Sequence, residues 1–363
     1  MDRNGPIARR FPLIARFRPA CLPLPERVQG LTVLADQSEQ DDDQGVASSV
    51  HNQAALLASD VGLPDLAREI CHAHADAYLQ ACPLPAMSAI RGLEPLVNLA
   101  RLKIRAGNAD TGRNALTALY EAVTNGTSLE YDGITVPNEL VATTEDRLEV
   151  RSWLWRVLLA DGTRTLTSAG RWSEAQAHIA RHRGVGQRML DGRQVAVVAA
   201  LVEGDHEQAA QLVAETLPGE PWERTVTKSL ATAAKVASGT ARETDLEALA
   251  TAYLQSTREP GRTVFDTRLG LTILDLARLV GYPADAVAHD MVSRAVEAAD
   301  GYAARELLTY EPCLNLLTAR QTSRCRELVD ACALAARDLP EGVLRDLKQA
   351  LHKADLVLRQ GFA

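Results

Sequence analysis

The chain has 363 residues, 46% of them hydrophobic and 24% charged, which is ample material for a core and excludes wholesale disorder. Its net charge of −8 excludes a duplex-DNA binder resting on a broad basic face, so no direct DNA binding is expected. Aromatic residues supply only 4%, and an apolar fraction led by Ala, Leu and Val favours helices over sheets.

Residues 1–23 carry Arg3, Arg9, Arg10, Arg16 and Arg18, and Pro12, Pro19 and Pro23 break their apolar pieces. Without the uninterrupted apolar run of a secretory signal, this stretch reads as a basic, proline-rich, disordered arm. Ser38–Gln44 is polar and acidic and reads as a loop between helices. From Val46 onward one signal recurs: a helical segment, a glycine, and a small residue five positions later. It appears as Gly62…Ala67, Gly170…Ala175, Gly204…Ala209 and Gly281…Ala286, with weaker copies at Gly107…Gly112 and Gly239…Thr244 and a last one without glycine near Ala319–Arg324. Glycine ends a first helix by adopting the left-handed conformation, and a small residue one turn into the second helix lets the pair approach closely. Such a pair cannot bury its apolar face alone and must stack on neighbours. Gly170 to Gly204 is 34 residues and Gly204 to Gly239 is 35.

Between Gly107 and Gly170 lies extra sequence. Leu129–Val136 holds Asp132-Gly133 between two β-prone pieces, the cue for a tight β-hairpin, and Pro137 closes it. Thr144, Glu145 and Asp146 read as the cap and first turn of the next helix. Further on, Arg171, Arg181, Arg183, Arg188 and Arg193 crowd a short stretch that also holds His178 and His182. Near the end, Leu344, Leu347, Leu351, Ala354 and Leu358 fall at helical spacing, as in a capping helix that covers the last repeat.

The turn and second-helix starts Ala169-Gly170-Arg171-Trp172-Ser173-Glu174-Ala175 and Glu203-Gly204-Asp205-His206-Glu207-Gln208-Ala209 resemble those of tetratricopeptide repeats. Pro221 stands where that family often places its closing proline, and Leu99-Ala100 resembles its first-helix pair. The resemblance covers roughly residues 46–340 and implies an all-α solenoid of about six to seven helical hairpins, with a β-hairpin insertion near 128–137. The expected organisation is an arm over 1–23, a repeat domain over 24–340 with its insertion at 126–143, and a capping helix over 341–363. The phrases His51–Leu56 and Trp155–Thr163 resemble uncharacterised actinobacterial helical-repeat proteins, which implies a bacterial, cytoplasmic setting and brings no assigned activity.

The family's members usually hold extended peptides in a groove lined by their first helices. Carried over by register, that groove places Asn52, Asp60, Arg101, Arg105, Arg164, Asp191, Gln194 and Arg268 toward a partner. Of these, Arg101, Arg105, Arg164, Asp191 and Gln194, with Arg181, Arg183 and Arg188, form the expected partner-binding set, and an acidic protein or peptide segment fits the arginines. No nucleotide loop, nucleophile elbow or C-x-x-C pair is present, so neither a catalytic residue nor a cofactor is expected. The expected function is therefore a non-catalytic adaptor or regulatory protein. The alternative is an enzyme or metal-dependent accessory protein of a specialised biosynthetic pathway, with its site at His178 and His182. They stand four apart on a helix, a spacing that can bring two imidazoles to one metal. No run approaches the roughly 18 apolar residues of a membrane span, and no membrane partner is expected.

Overall fold

Glycine punctuation decides where many of the helices stop. In the computed structural model, which describes residues 1–361, all six glycines of the recurring signal have positive φ, for example 93° at Gly62 and 83° at Gly204. The N–H groups of these two glycines close onto carbonyls of the preceding turn, as a left-handed cap does. Besides helices, the described residues form one two-stranded sheet.

In order, the elements are α1 (Pro6–Arg10), α2 (Leu24–Asp41), α3 (Gln44–Val61), α4 (Pro64–Leu79), α5 (Ala86–Arg105), α6 (Ala109–Asn125), β1 (Leu129–Tyr131), β2 (Ile134–Val136) and α7 (Thr144–Val157). A π-helical turn (Leu158–Gly162) leads directly into α8 (Thr163–Ser168) and α9 (Trp172–Arg181). Then come α10 (Asp191–Glu203), α11 (His206–Ala214), α12 (Pro221–Ala237), α13 (Glu243–Leu254), α14 (Thr263–Val280) and α15 (Asp285–Glu297). The last are α16 (Gly301–Leu308), α17 (Glu311–Leu314), α18 (Ala319–Ala331) and α19 (Glu341–Gln360). Two expected boundaries shift slightly. The acidic stretch Ser38–Gln44 is mostly helix, with Asp43 capping α3 by accepting from Gly45 and Val46, and Thr143 rather than Thr144 caps α7.

The helices gather into two compact units, each with its own apolar core. The expected single repeat domain over 24–340 is thus divided, at Thr165/Leu166 and Cys332/Ala333. Pro221 sits in the first turn of α12, where its missing N–H costs nothing.

The sheet unit comprises Leu24–Thr165 and the C-terminal stretch that begins at Ala333. Within it α3 packs on α4 and α5, and α5 packs on α6 and α7. The β-hairpin forms where Asp132-Gly133 predicts it, with Leu129 opposite Val136 and Tyr131 opposite Ile134. Asp132 and Gly133 both have positive φ, 55° and 83°, as the tight hairpin turn demands. The expected capping helix is α19, but it does not cover the last repeat. It buries Leu347, Ala350, Ala354, Val357 and Leu358 and packs against α2, α3 and α4 of this unit. Phe362 and Ala363, which fall within the expected 341–363 helix, lie outside the described residues.

The strap unit comprises residues 1–23 and 166–332. Here α10 packs on α11 and α12, α12 on α13 and α14, and α14 on α15 and α16. The first 23 residues are not a disordered arm. They form α1 and an irregular strap, with Ile7, Ala8, Phe11, Leu13 and Cys21 buried in the unit's core. Arg10, Arg16 and Arg18 of this stretch find acidic or aromatic partners, described below.

Close approach of most helix pairs rests on small residues at the fourth position of the second helix (α13, with Leu246 there, is the exception), and Gly112 shows how tight it is. A Cβ there would stand 2.6 Å from the Ala100 carbonyl oxygen and 2.6 Å from Ile104 Cγ1. Gly112→Val therefore forces α5 and α6 apart and costs about 1–3 kcal/mol. Urea denaturation reads this as a lower midpoint, and an unchanged midpoint would show that the helices can slide.

Candidate functional site

The first helices of successive pairs carry polar side chains at positions where helix packing alone would favour apolar ones. On α5, Glu94, Asn98, Arg101 and Arg105 lie on one face, spaced by three or four residues. They form a ladder to the neighbouring elements. Asn52 on α3 donates to Glu94 Oε2 at 2.6 Å and accepts from Asn98 Nδ2 at 2.9 Å. Arg101 donates to Asn98 Oδ1 at 3.2 Å and, through Nε, to Asp161 in the π turn at 2.9 Å. Arg105 reaches back to the Ser59 hydroxyl on α3, and Asp60 beside it pairs with Arg27 at 2.9 Å. Burial raises the Glu94 carboxyl, and Asn52, Arg91 and Arg101 oppose that rise.

The expected residues Asn52, Arg101 and Arg105 are thus brought together, with Arg101 and Arg105 exposed and Arg164 half-buried beyond the π turn. Glu94, Asn98 and Asp161 were missed. The signal for two of them was available, because the same spacing that selects Arg101 and Arg105 selects Glu94 and Asn98 on the preceding turns.

In the strap unit the corresponding face is occupied. Gln194 on α10 is fully buried. Its carboxamide accepts from the Leu13 N–H at 2.7 Å and donates to the Leu13 carbonyl at 2.8 Å, and it donates to Met189 at 2.9 Å. It is therefore not open to a partner in this arrangement, and Asp191 is taken by Arg16 at 3.0 Å. Arg268 on α14 pairs with Glu306 on α16, its Nε 2.7 Å from the carboxylate. Farther along α14, Asp275 receives both Arg10 and the Tyr310 hydroxyl.

The arginine cluster read from sequence does not form one patch. Arg188 binds Glu223, a carboxylate that burial would raise but that Arg188 and the Glu220 N–H hold below its ordinary value. Arg193 is 6% exposed and braces the loop before α12, donating to Leu212 O, Thr216 Oγ1 and Gly186 O. Arg171 pairs with Glu174 at 2.6 Å. Arg181 and Arg183 are exposed at the end of α9 and just after it. His178 and His182 do meet, with ring centroids 4.8 Å apart. Among the described residues, no group of three or more His, Cys, Asp or Glu side chains is placed to hold a metal ion.

A further polar cluster lies at the β-hairpin. Asp132 at its turn receives Arg68 at 2.7 Å and His72 at 3.3 Å, with Lys103 at 3.6 Å. Burial alone would raise this carboxyl, and the hydrogen bonds from Arg68 and His72 instead bring it below the usual range. Beside it opens a cleft of about 500 Å³ between α4 and β2, lined by His72, Asp76, Gln80 and Thr135.

Among the described residues no helix is long and apolar enough to cross a membrane. Comparison of the chain with protein-family models, curated proteins and solved structures finds no match.

Proposed function

We propose that the chain is a non-catalytic binding protein, a tetratricopeptide-like helical-repeat adaptor or regulator that holds peptide segments on the faces of its first helices. One observation carries the reading. On the strap unit such a face already holds an irregular segment of chain, and Gln194 both donates to and accepts from one residue's backbone. A carboxamide used in this way recognises a peptide backbone whatever its side chains, because it matches the N–H and C=O of an extended residue.

The sheet unit supplies the same chemistry at the equivalent helices. Asn52 and Asn98 are its carboxamides, and Arg101 and Arg105 stand exposed beside them to take carboxylates of a bound segment.

The test is to pan a displayed peptide library against the full chain, wild type beside Asn98→Ala/Arg101→Ala. Peptides enriched on the wild type are expected to bind the variant at least about tenfold more weakly, as befits loss of one charge-assisted and one neutral hydrogen bond. No enrichment on the wild type, or equal binding by the two chains, would remove the sheet-unit ladder as the site.

A further inference from the structure

Residues 1–23 are the least repeat-like part of the chain, and their contacts have the pattern of a bound ligand rather than of a helix in a stack. Along the segment, backbone groups are held at several places, among them the Met1 amino group, which donates to Leu201 O at 2.8 Å, and the Arg3 carbonyl, which accepts from Trp172 Nε1 at 3.1 Å. Leu13 is clamped on both sides by Gln194. The Arg18 N–H donates to Gly261 O at 3.0 Å. Cys21 donates to Asp300 Oδ1 at 3.1 Å and accepts from the Gly301 N–H at 2.9 Å.

Side chains between these points meet complementary groups. Arg10 lies over the Tyr310 ring at 4.6 Å and pairs with Asp275. Arg16 pairs with Asp191, and Arg18 lies over the Tyr302 ring at 3.9 Å. Phe11 and Leu13 are the apolar anchors, 0% and 2% exposed. Most of the receiving groups belong to α10, α14 or α16 or cap one of them, the first helices of their pairs, whereas Trp172 on α9, Gly261, Tyr310 and Cys332 do not.

Two clefts open to the surface flank the segment. A cavity of about 260 Å³ lies between Met1–Ile7 and α12 and α14, lined by Ile7, Ala233, Val236 and Leu279. Another of about 400 Å³ opens between Phe17–Ala20 and the Arg258–Thr263 and Arg294–Ala298 stretches. Phe17 itself is 74% exposed.

We infer that the strap unit's first-helix face is a binding site for an extended basic peptide with apolar anchors, and that residues 1–22 of this chain occupy it as a displaceable cis ligand. The partner's chemistry is read from the occupant: an arginine next to an aromatic anchor, a second apolar anchor two residues on, then further arginines. Asp191, Asp275 and Asp300 supply the matching charge. The inference extends the peptide-binding reading to a second face, and the variants that test the two share no residue.

The experiment uses the full-length chain and a fluorescein-labelled synthetic peptide of residues 1–22, with binding followed by anisotropy. Two chains are compared: wild type, and Phe11→Ser/Leu13→Ser, which loosens the cis segment and leaves the face intact. The loosened chain is expected to bind the peptide at least about tenfold more tightly than wild type, because the cis competitor is weakened. Adding Gln194→Ala to it should cost about tenfold, the worth of two backbone hydrogen bonds. A scrambled peptide of the same composition should bind weakly. Equal binding of the peptide by both folded chains, indifference to Gln194→Ala, or equal binding of the scrambled peptide would each overturn the inference. Should the loosened chain fail to fold, hydrogen exchange on wild type decides. Amides of residues 11–22 are expected to exchange faster than those of α10 and α14, and exchange only through global unfolding would make the segment core and end the proposal.

Discussion

Arg294→Met destabilises the strap unit by about 3–5 kcal/mol near neutral pH, the usual cost of leaving a buried charge without its partner. Arg294 is 5% exposed and ties three helices together. From α15 it donates to Asp266 on α14 at 3.1 Å, to Asp290 at 2.5 Å, and to the Tyr253 carbonyl at the end of α13 at 3.2 Å. Its guanidinium also lies over the Tyr253 ring at 4.9 Å. Methionine keeps much of the volume and removes every one of these bonds.

The pH dependence separates charge from packing. Burial pushes the Asp266 carboxyl up to about 6, and the attraction of Arg294 restrains the rise. Without Arg294 the carboxyl rises further, so at pH 7.5 it is either ionised and unpaired or protonated at a cost. At pH 5 it is protonated in the folded state of both chains and the difference shrinks. Urea unfolding at the two pH values should therefore show a large penalty at 7.5 and a smaller one at 5. Arg294→Met/Asp266→Asn should recover a good part of the loss at 7.5. An equal penalty at both values would mean that packing, not the stranded carboxylate, dominates.

Much of the architecture is legible because its signals are local. Asp132-Gly133 predicts the β-hairpin since both residues must take positive φ, and the recurring glycines predict helix ends for the same kind of reason. The small-residue rule fails instructively. Ala67, Ala175 and Ala209 are buried as expected, whereas Ala286 and Thr244 are exposed. The residue that packs is the fourth of the second helix, and α15 and α13 begin four residues after their glycine where α11 begins two after. Ala288 and Leu246 therefore fill the place assigned to Ala286 and Thr244. Counting from the helix start, not from the glycine, gives the right register.

The candidate faces divide along the same line. Arg101 and Arg105 are readable from repeat register, and the same helical spacing contains Glu94 and Asn98. Gln194 is placed on the right face but is buried, because what covers it comes from 181 positions earlier in the chain. Composition makes residues 1–23 look disordered, since arginine and proline seldom build cores. Their order comes from Asp191, Asp275, Asp300 and Gln194, all of them distant in sequence. The packing of α19 on α2 and α3 is equally long-range, and an amphipathic stripe says that a helix needs a partner without saying which.

Acidification should unfold the sheet unit through two buried histidines. His51 and His74 stack with ring centroids 5.1 Å apart, and both are about 1–2% exposed. His74 Nε2 meets the Ser48 hydroxyl at 2.9 Å, and His51 Nδ1–H donates to Ala47 O at 3.2 Å. Burial lowers His74 well below 6.5, and repulsion from His51 lowers it further. Burial also lowers His51, against the Ala47 hydrogen bond and the charge of Asp355 on α19, with Arg359 adding to the lowering. Both rings are neutral in the folded unit and charge in the unfolded chain. Their contribution is therefore complete above pH 6.5 and falls away as the pH drops below it, by up to about 1.4 kcal/mol per pH unit for each ring. Asp266 acts in the opposite sense between about pH 6 and 4, because its raised carboxyl takes up a proton on folding. The histidines must hence be isolated by substitution. Thermal midpoints measured from pH 7.5 to 5 should fall steeply for wild type and less steeply for His74→Gln, which retains a polar partner for Ser48 and cannot charge. Parallel slopes in the two chains would show that His74 is protonated without cost, and that the stacked pair opens before the unit does.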